Sequence, residues 1–377
     1  TAALIFDQVM SPNKPLIEFI KVHLKRISPA IYYSISQQNN HSTSEAAALY
    51  IGGSWLKILG YDEGREWSLL GKNMLEEQIE ELVDEDGVFS QYSVNYHRLM
   101  LDTCSLVEVW RRKLNLERFK ESYYKKIKSA ESWLEVLVDP MSGDAPNLGA
   151  NDGAKLFCID KNYRDFRVSV QLARVLFSNE VVYPDEGANI LLKLFNLEIP
   201  KKISQPGKIK FCKSGGFFIS KTKETLLVFR FPKFKFRPSQ ADSLHLDFWV
   251  RGKNILNDAG TYSYRIPSER EYFTGSKGHN VIEFDGRNQM DKVSRFLYSD
   301  WPESDHINVT EEDDRTFCRA SFTDTKSCKH IRSAELKKNT LKIEDQVEGF
   351  DNHAILRWRL CYDNWSLENG KITNGKE

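Results

Sequence analysis

The fold of this 377-residue chain is decided by one stretch, QADSLHLDFWVRGKNILNDAGTYSY (residues 240–264), followed by EYFTGSKGHNVIEFDGRNQ (residues 271–289). Apolar residues at 244, 246, 248 and 250 alternate with others, a period of two that predicts a half-buried strand. A turn at Gly252-Lys253 and further strands over 254–257 and 281–284 follow from the same pattern. Polar side chains then lie at strand edges or in loops, where a rigid sheet can hold them over a cleft. They are Gln240, Asp242, Asp258, His279 and the tyrosines at 262, 264 and 272.

Length and composition bound the class of protein. A chain of 377 residues is longer than a domain with a single hydrophobic core usually is, so we expect two domains. With 53 basic and 53 acidic residues, its formal net charge is zero, which argues against nucleic acid or an acidic membrane as the main partner. No apolar run is long enough for a membrane span. The six cysteines stand singly, without a CxxC pair, which argues against a zinc knuckle or a redox motif.

Residues 1–200 have a helical pattern. Apolar residues recur at helical spacing over residues 15–26, 43–59, 73–83, 96–114, 116–137, 167–177 and 187–195. At least seven helices joined by short polar breaks favour an array of helical hairpins or a toroid over a parallel α/β fold.

Residues 201–377 have a strand pattern instead. Short apolar segments separated by Gly, Asn or Asp predict strands over residues 209–211, 216–220, 225–231, 244–250, 280–284, 319–323, 331–337, 340–347 and 354–360. An antiparallel β-sandwich is the natural interpretation. We therefore predict an α+β protein of two domains. Because residues 374–377 follow shortly after a predicted strand, we expect the sandwich to be incomplete.

Two polar clusters lie in the helical half. Asn39, Asn40 and His41 precede a helix that Thr43 or Ser44 would cap, and capping explains one such residue but not two asparagines and a histidine together. Residues 95–98 read Asn-Tyr-His-Arg at the start of another helix. A lone tyrosine at a helix start usually packs against the core. Positive neighbours, however, favour phenolate, so we expect the pKa of Tyr96 to be lowered.

The third cluster is the opening stretch itself. Asp258 and His279, with Gln240 or Asp242, form a weak pattern for a divalent metal, since a second histidine is missing. His245 is interpreted as a surface histidine or one satisfied by its neighbours. The chain contains no GxGxxG, P-loop, HExxH or GxSxG motif, which argues against nucleotide binding, zinc-protease and hydrolase-elbow chemistry.

In their order and intervals, these clusters resemble the heparinase II/III-like polysaccharide lyases, most closely the branch found beside bacterial surface-polysaccharide biosynthesis genes. The resembling segments are residues 39–48, 86–98, 147–153, 163–167 and 240–289, which together span most of the chain. The resemblance implies an incomplete α/α toroid over residues 1–200 and a β-sandwich over residues 201–377, with the cleft between them.

The resemblance also implies an activity, β-elimination at a uronic acid. Such a reaction must neutralise the sugar carboxylate, remove the proton on C5 and protonate the departing oxygen. Asn40 and His41 match the residues that face the carboxylate or act as base. Tyr96 matches the proton donor, which in syn elimination is also the base, and Tyr264 matches a second tyrosine. Substrate-binding roles are expected for Asn39, His97, Arg98 and Gln240, and metal-ligand roles for Gln240, Asp258 and His279, with zinc as the favoured ion.

Two departures from the family pattern leave alternatives open. Gln240 stands where these lyases have a metal-binding histidine, and Pro238 stands where some have a catalytic histidine. A catalytically silent, glycan-binding relative acting in polysaccharide assembly or export is therefore the second hypothesis. An apolar environment around Tyr96 would favour it. A third hypothesis, a glycoside hydrolase, needs two opposed carboxylates, for which Asp152 and Asp86 are candidates.

The expected partner is an acidic polysaccharide of the glycosaminoglycan or alginate-like kind, and the oligomeric state is left open. A lyase acting on exported polysaccharide belongs in the periplasm or outside the cell. Unpaired cysteines are equally compatible with a cytosol.

Overall fold

The computed structural model describes residues 13–159, 162–205, 207–312, 315–338 and 340–374. Helices dominate its first half and antiparallel strands its second half, as the sequence pattern predicts. Within these ranges, no helix is both long enough and apolar enough to cross a membrane.

The seven predicted helices are all present, with shifted ends. They are α1 (Lys14–Ser36), α2 (Asn40–Ile58), α3 (Asp62–Leu82), α4 (Val94–Lys113), α5 (Glu121–Leu137), α6 (Arg167–Ser178) and α7 (Ile190–Leu194). α1 continues ten residues beyond its predicted end, through Pro29. α8 (Pro267–Thr274), between the predicted strands over residues 254–257 and 281–284, was not predicted.

Glycines bring α2 and α3 into direct backbone contact. A Cβ atom added to Gly53 would lie 2.4 Å from the backbone nitrogen of Ser68, and one added to Gly71 would lie 2.3 Å from that of Tyr50. No real side chain tolerates such distances, so these positions must lack a Cβ atom for the two helices to pack as they do. This contact sets the position of α2, whose first residues are Asn40 and His41.

The strands form two main antiparallel sheets. The first has the order β1-β2-β3-β4-β5, with strands Ile209–Cys212, Phe217–Lys221, Thr225–Arg230, Leu246–Val250 and Lys253–Leu256. The second has the order β12-β11-β10-β9, with strands Thr340–Glu348, Lys329–Lys337, Arg315–Thr323 and Ser304–Glu312. Three two-stranded pairs complete the set: β13 (Ala354–Leu356) with β6 (Ile282–Phe284), β14 (Ser366–Glu368) with β15 (Lys371–Thr373), and β7 (Lys292–Ser294) with β8 (Leu297–Tyr298). β7, β8, β9, β14 and β15 were missed from the sequence.

The five-stranded sheet is covered on both faces. In β3, Leu226 and Val228 pack into the core shared with the helices, while Leu227 and Phe229 pack into the core shared with the second sheet. Trp249 in β4 faces the helical side. The prediction of a half-buried strand over residues 244–250 is therefore wrong, because the sheet is a middle layer between helices and a second sheet. The predicted division at residue 200 falls between the last residue of α7 and the first of β1, Leu194 and Ile209, and the domain assignment itself stays a prediction.

Candidate active site

A cleft opens where the helical part meets the sheet part. Its inner cavity, of about 230 Å³, is lined from the helical side by Asn39, Asn40, His41, Gln91 and Tyr96, and from the sheet side by Arg237, Pro238, Ser239, Tyr264 and Phe296. Four residues predicted as catalytic, namely Asn40, His41, Tyr96 and Tyr264, thus line one cavity although 224 positions separate the first from the last.

A cavity of about 610 Å³ lies elsewhere, beside β1, β2 and β10. Positively and negatively charged side chains line it, and none of the site residues predicted from the sequence is among them. The smaller cavity is therefore the candidate site, because chemistry-bearing side chains converge there.

The start of α2 presents Asn40 and His41 to the cleft. Asn39 is the N-cap, and its side-chain oxygen accepts a hydrogen bond of 2.9 Å from the backbone N–H of His41. The expectation that Thr43 or Ser44 caps this helix is wrong, since the helix begins three residues earlier. The Asn40 N–H donates to the side chain of Gln91 at 2.9 Å, which ties this turn to the loop before α4. His41 is exposed in the cavity.

Tyr96 reaches the cleft from the first turn of α4. Ser93 caps this helix, accepting a hydrogen bond from the Tyr96 N–H at 3.1 Å and donating one to the Ala150 carbonyl at 2.6 Å. The Tyr96 hydroxyl lies 3.5 Å from that of Tyr264, which arrives from the opposite side of the cleft. Tyr264 in turn packs edge-on against Phe296, with ring centroids 5.3 Å apart.

Both phenols are held in their protonated form. Burial, together with the neighbouring Tyr264 hydroxyl, raises the pKa of Tyr96 far above its usual value. Burial also raises the pKa of Tyr264 to about 12, and the Asp152 carboxylate adds to this rise. The prediction that the pKa of Tyr96 is lowered is therefore wrong. At neutral pH the pair can donate a proton, whereas it is poorly suited to accept one.

His97 and Arg98 lie in the interior, away from the cleft. Burial lowers the pKa of His97 to about 3, its Nε2–H donates to the Ala130 carbonyl at 2.8 Å, and its ring lies 4.6 Å from that of Trp133. Arg98 donates to the Asn95 side chain, and its guanidinium is fully buried. Successive helix residues point about 100° apart, so three in a row cannot face one cleft. Direct substrate contact by these two side chains, expected from the sequence, does not fit this placement.

The side chain of Gln240 is also buried and hydrogen-bonded within the protein. Its side chain is 2% exposed, its Oε1 accepts from the Gly149 N–H at 2.9 Å, and its Nε2 donates to the Gly260 carbonyl at 3.5 Å. Both ends of the amide are thus occupied by backbone groups. The two roles expected for Gln240, metal ligand and substrate contact, do not fit this arrangement.

A buried group of three side chains lies behind the cleft. Asp258 Oδ2 is 2.6 Å from His279 Nδ1 and 3.7 Å from His245 Nε2, and all three residues are buried. One ligand atom from each lies within 4.8 Å of the others, so the group could hold a metal ion. Asp258 and His279 were predicted. His245 was interpreted as a surface or satisfied histidine, and the structure shows it fully buried. Its Nδ1 accepts a hydrogen bond, while its Nε2 makes none and lies 3.7 Å from Asp258 and 3.9 Å from Asp247.

A second cavity, of about 650 Å³, adjoins the first at Tyr264. Asn151, Asp152, Tyr163, Tyr262 and Arg265 line it. Of the described residues that line the two adjoining cavities, Asp152 is the single acidic one. Asp86 instead accepts a hydrogen bond from the Ser214 N–H at 2.9 Å and lines neither cavity. The opposed carboxylates that a glycoside hydrolase needs are thus not supplied by Asp86 and Asp152.

Arg237, Gln91 and Phe296 are among the cleft residues that were given no role from the sequence. Arg237 adds a cation to the cavity. It directly precedes Pro238, which the family resemblance places at a catalytic position, and this neighbourhood could have pointed to Arg237. Gln91 fell inside a resembling segment but was given no role. Phe296 lies in a loop whose sequence carries no motif.

Comparison with known proteins agrees with this architecture. The family model described as Heparinase II/III N-terminus matches residues 6–168, and the one described as Heparinase II/III-like, C-terminal, matches residues 204–376. A heparin-sulfate lyase of Pedobacter heparinus is 22% identical over 346 residues, covering 87% of this chain and 47% of that protein. A heparin-sulfate lyase of Bacteroides stercoris is 22% identical over 364 residues, covering 91% and 48%.

Solved structures show the same fold. The heparan sulfate lyase HepC mutant from Pedobacter heparinus matches with a TM-score of 0.67 at 20% identity, covering 93% of this chain and 52% of that one. A heparinase III structure matches with a TM-score of 0.68 at 15% identity, covering 94% and 55%. The chain spans about half the length of the relatives that it matches.

Proposed function

The chain belongs to the heparinase II/III-like family, and from this premise we propose that it is a polysaccharide lyase that cleaves a uronic-acid-containing glycan by β-elimination. The observation that carries the proposal is the pair of facing hydroxyls of Tyr96 and Tyr264, 3.5 Å apart, in the cavity that Asn40 and His41 also line. The relatives named heparin-sulfate lyases are about twice as long as this chain. The activity of this chain as a whole is therefore part of the proposal.

The reaction assigns one task to each side chain. In β-elimination, the C5–H bond and the C4–O4 bond break and a C4–C5 double bond forms, so one proton leaves C5 and one is delivered to O4. The Asn40 amide hydrogen-bonds the uronate carboxylate, which makes the proton on C5 more acidic. Arg237, the cation on the sheet side of the same cavity, adds charge stabilisation for the anion that develops.

The general acid and the general base are then different residues. Because the pKa of Tyr96 is raised, its hydroxyl donates the proton to the departing oxygen, with Tyr264 as the neighbouring hydrogen-bond partner. His41, exposed in the cavity, removes the proton from C5. A syn elimination in which Tyr96 performs both steps requires phenolate, which the burial of this hydroxyl disfavours.

The silent glycan-binding relative is the second candidate, favoured by Pro238, which supplies no histidine to the cleft. The environment of Tyr96 argues against it. Polar side chains, namely Asn40, His41 and Tyr264, are among the residues that line the cavity around this hydroxyl. A side chain kept only for packing would not need such neighbours.

Further parts of the proposal follow from family membership. Helices α1–α7 form the incomplete α/α toroid and the sheets form the β-sandwich, with the domain boundary at residue 200. The substrate is an acidic polysaccharide, a glycosaminoglycan by analogy with the relatives' names, and the protein acts in the periplasm or outside the cell. A zinc ion is bound at the buried group of His245, Asp258 and His279.

The experiment incubates the protein with sulfated and unsulfated glycosaminoglycans and with alginate. It follows the ultraviolet absorbance of the unsaturated uronate and the product mass, which is one water lower than after hydrolysis. His41→Gln should abolish the product, while His306→Gln, an exposed histidine on β9, should not. Glycan binding without unsaturated product on any polymer would overturn the lyase proposal in favour of the silent binder.

A further inference from the structure

We infer that the cleft continues past Arg237 into an outer groove, formed by Lys233, Lys235 and Trp301, that binds an acidic sugar unit outside the site of bond cleavage. The inference rests on the proposed function for the kind of polymer, an acidic polysaccharide. It adds a binding site to that function and assigns no step of the reaction.

The outer groove and the candidate site share their walls. The groove is a cavity of about 210 Å³, and six of the residues that line it come from two segments, 233–235 and 301–303. The same two stretches of chain contribute Arg237 and Phe296 to the inner cavity of the cleft. A chain spans at most about 3.6 Å per residue, so the Cα atoms of Lys235 and Arg237 lie within about 7 Å of each other. One short oligosaccharide can therefore contact both cavities.

Cations follow this wall at alternate positions. Residues 232–238 read Pro-Lys-Phe-Lys-Phe-Arg-Pro. Lys233 pairs with Glu303, and both side chains are exposed to solvent, where such a pair contributes little. Among the residues that the structure describes, none forms an ion pair with Lys235 or Arg237. Three cations thus face one carboxylate along the wall, and the excess positive charge suits an anionic ligand.

The backbone that carries the lysines is fixed from the interior. The hydroxyl of Tyr92, a buried residue, accepts hydrogen bonds from the N–H groups of Lys235 at 2.9 Å and Phe236 at 3.2 Å. The Phe234 ring packs edge-on against Tyr92, with ring centroids 5.6 Å apart. The Lys235 side chain itself is exposed. A fixed backbone lowers the entropy that the protein loses when an anion binds to this lysine.

Trp301 supplies a surface against which a sugar ring can pack. Its side chain lines the same groove and is 37% exposed, while its Nε1–H donates to the Tyr298 carbonyl at 2.7 Å. Tyr298 is buried, and its hydroxyl donates to the Thr274 carbonyl at 2.9 Å. The indole is thereby held in place beside the lysines. The lysines alone would suit any small anion, whereas an aromatic ring beside them points to a sugar that carries a carboxylate or a sulfate.

The cavity that adjoins the candidate site at Tyr264 has a different charge. It contains one acidic and one basic described residue, Asp152 and Arg265, which offset each other. The acidic groups of the polymer outside the cleavage site are therefore bound on the side of Lys235.

The test measures dissociation constants for a heparan disaccharide, by NMR titration, and for a heparan octasaccharide, by calorimetry. The His41→Gln protein is used so that the sugars stay intact. Adding Lys233→Gln and Lys235→Gln together should weaken octasaccharide binding about fivefold or more and change disaccharide binding less than about twofold. The matched control, Lys342→Gln with Lys371→Gln, removes two exposed lysines from β12 and β15 and should change neither.

Unchanged octasaccharide binding in the double lysine variant would overturn the inference. An equal loss for both sugars would also overturn it, because the lysines would then act on the cleft itself. Trp301→Leu should weaken octasaccharide binding and leave the binding of inorganic sulfate unchanged, and octasaccharide binding that ignores Trp301→Leu would refute a sugar-binding groove. None of these readouts measures bond cleavage. A protein that binds the octasaccharide through these lysines but forms no unsaturated product would refute the lyase proposal alone.

Discussion

Replacing His97 with glutamine should make the protein markedly more resistant to acid. The wild-type imidazole is fully buried beside Trp133, its Nε2–H donates to the Ala130 carbonyl, and its Nδ1 has no partner. A glutamine amide can donate the same hydrogen bond and carries no titratable group. Its cost at neutral pH is limited to imperfect packing against the indole.

The magnitude follows from the pKa of His97, which burial lowers to about 3. In the unfolded chain a histidine has a pKa of about 6.5, so below that pH the unfolded state binds a proton that the folded state refuses. Acid therefore destabilises the fold, and the effect stops growing once the pH falls below the folded pKa. Between about pH 7 and about pH 4, this one residue removes about 3 kcal/mol of the free energy of unfolding.

The assay is urea unfolding of both proteins at these two pH values, followed by tryptophan fluorescence and circular dichroism. The loss of unfolding free energy on acidification should be about 3 kcal/mol smaller in His97→Gln than in the wild type. His41→Gln, which removes an exposed histidine, is the control and should follow the wild type. Parallel pH dependence of the wild type and His97→Gln would refute a neutral, buried His97.

Three further predictions concern packing, charge and the cleft. Gly71→Ala should lower the free energy of unfolding by about 1–3 kcal/mol, because the added Cβ atom meets the backbone of Tyr50 in α2; unchanged urea midpoints would contradict this. Hydrogen bonds from His330 and Arg332 outweigh burial and lower the pKa of Asp345 to about 2. Asp345→Asn should therefore cost about 2 kcal/mol above about pH 4, and the difference from wild type should vanish as the pH falls toward about 2. In spectrophotometric titration, the tyrosinate signal lost in Tyr264→Phe should appear only above about pH 11, and its appearance near the ordinary tyrosine pKa of about 10 would show an unburied phenol.

Much of the fold could be predicted from local patterns because those patterns report burial. Helical spacing of apolar residues located α1–α7, and short apolar segments located most strands of the two main sheets. The ends of elements depended on contacts that no local pattern contains. α2 begins at Asn40 because the Asn39 side chain caps it, and α1 runs through Pro29. β9 was missed because its exposed and half-buried residues, Ser304–Glu312, carry many charges.

Site residues could be predicted where the family resemblance pointed to single positions. Whether a side chain faces the cleft or the core depends on the three-dimensional structure and was harder to predict. Asn40, His41, Tyr96 and Tyr264 were chosen by position and do line one cavity. His97 was judged by its neighbours in sequence, but its helix turns it into the core. His245 was judged by strand alternation, yet both faces of this sheet are covered and His245 is buried.

In the proposed mechanism, Tyr96 delivers a proton to the departing oxygen during β-elimination in this cleft. The measurement that tests it most directly is formation of the unsaturated uronate product by Tyr96→Phe, with Tyr362→Phe, which removes a fully exposed hydroxyl, as the control. Loss of a general acid typically costs about 10²–10⁴ in rate, so we predict at least a hundredfold fall for Tyr96→Phe and none for the control. Product formation by Tyr96→Phe at the wild-type rate would show that another group delivers the proton.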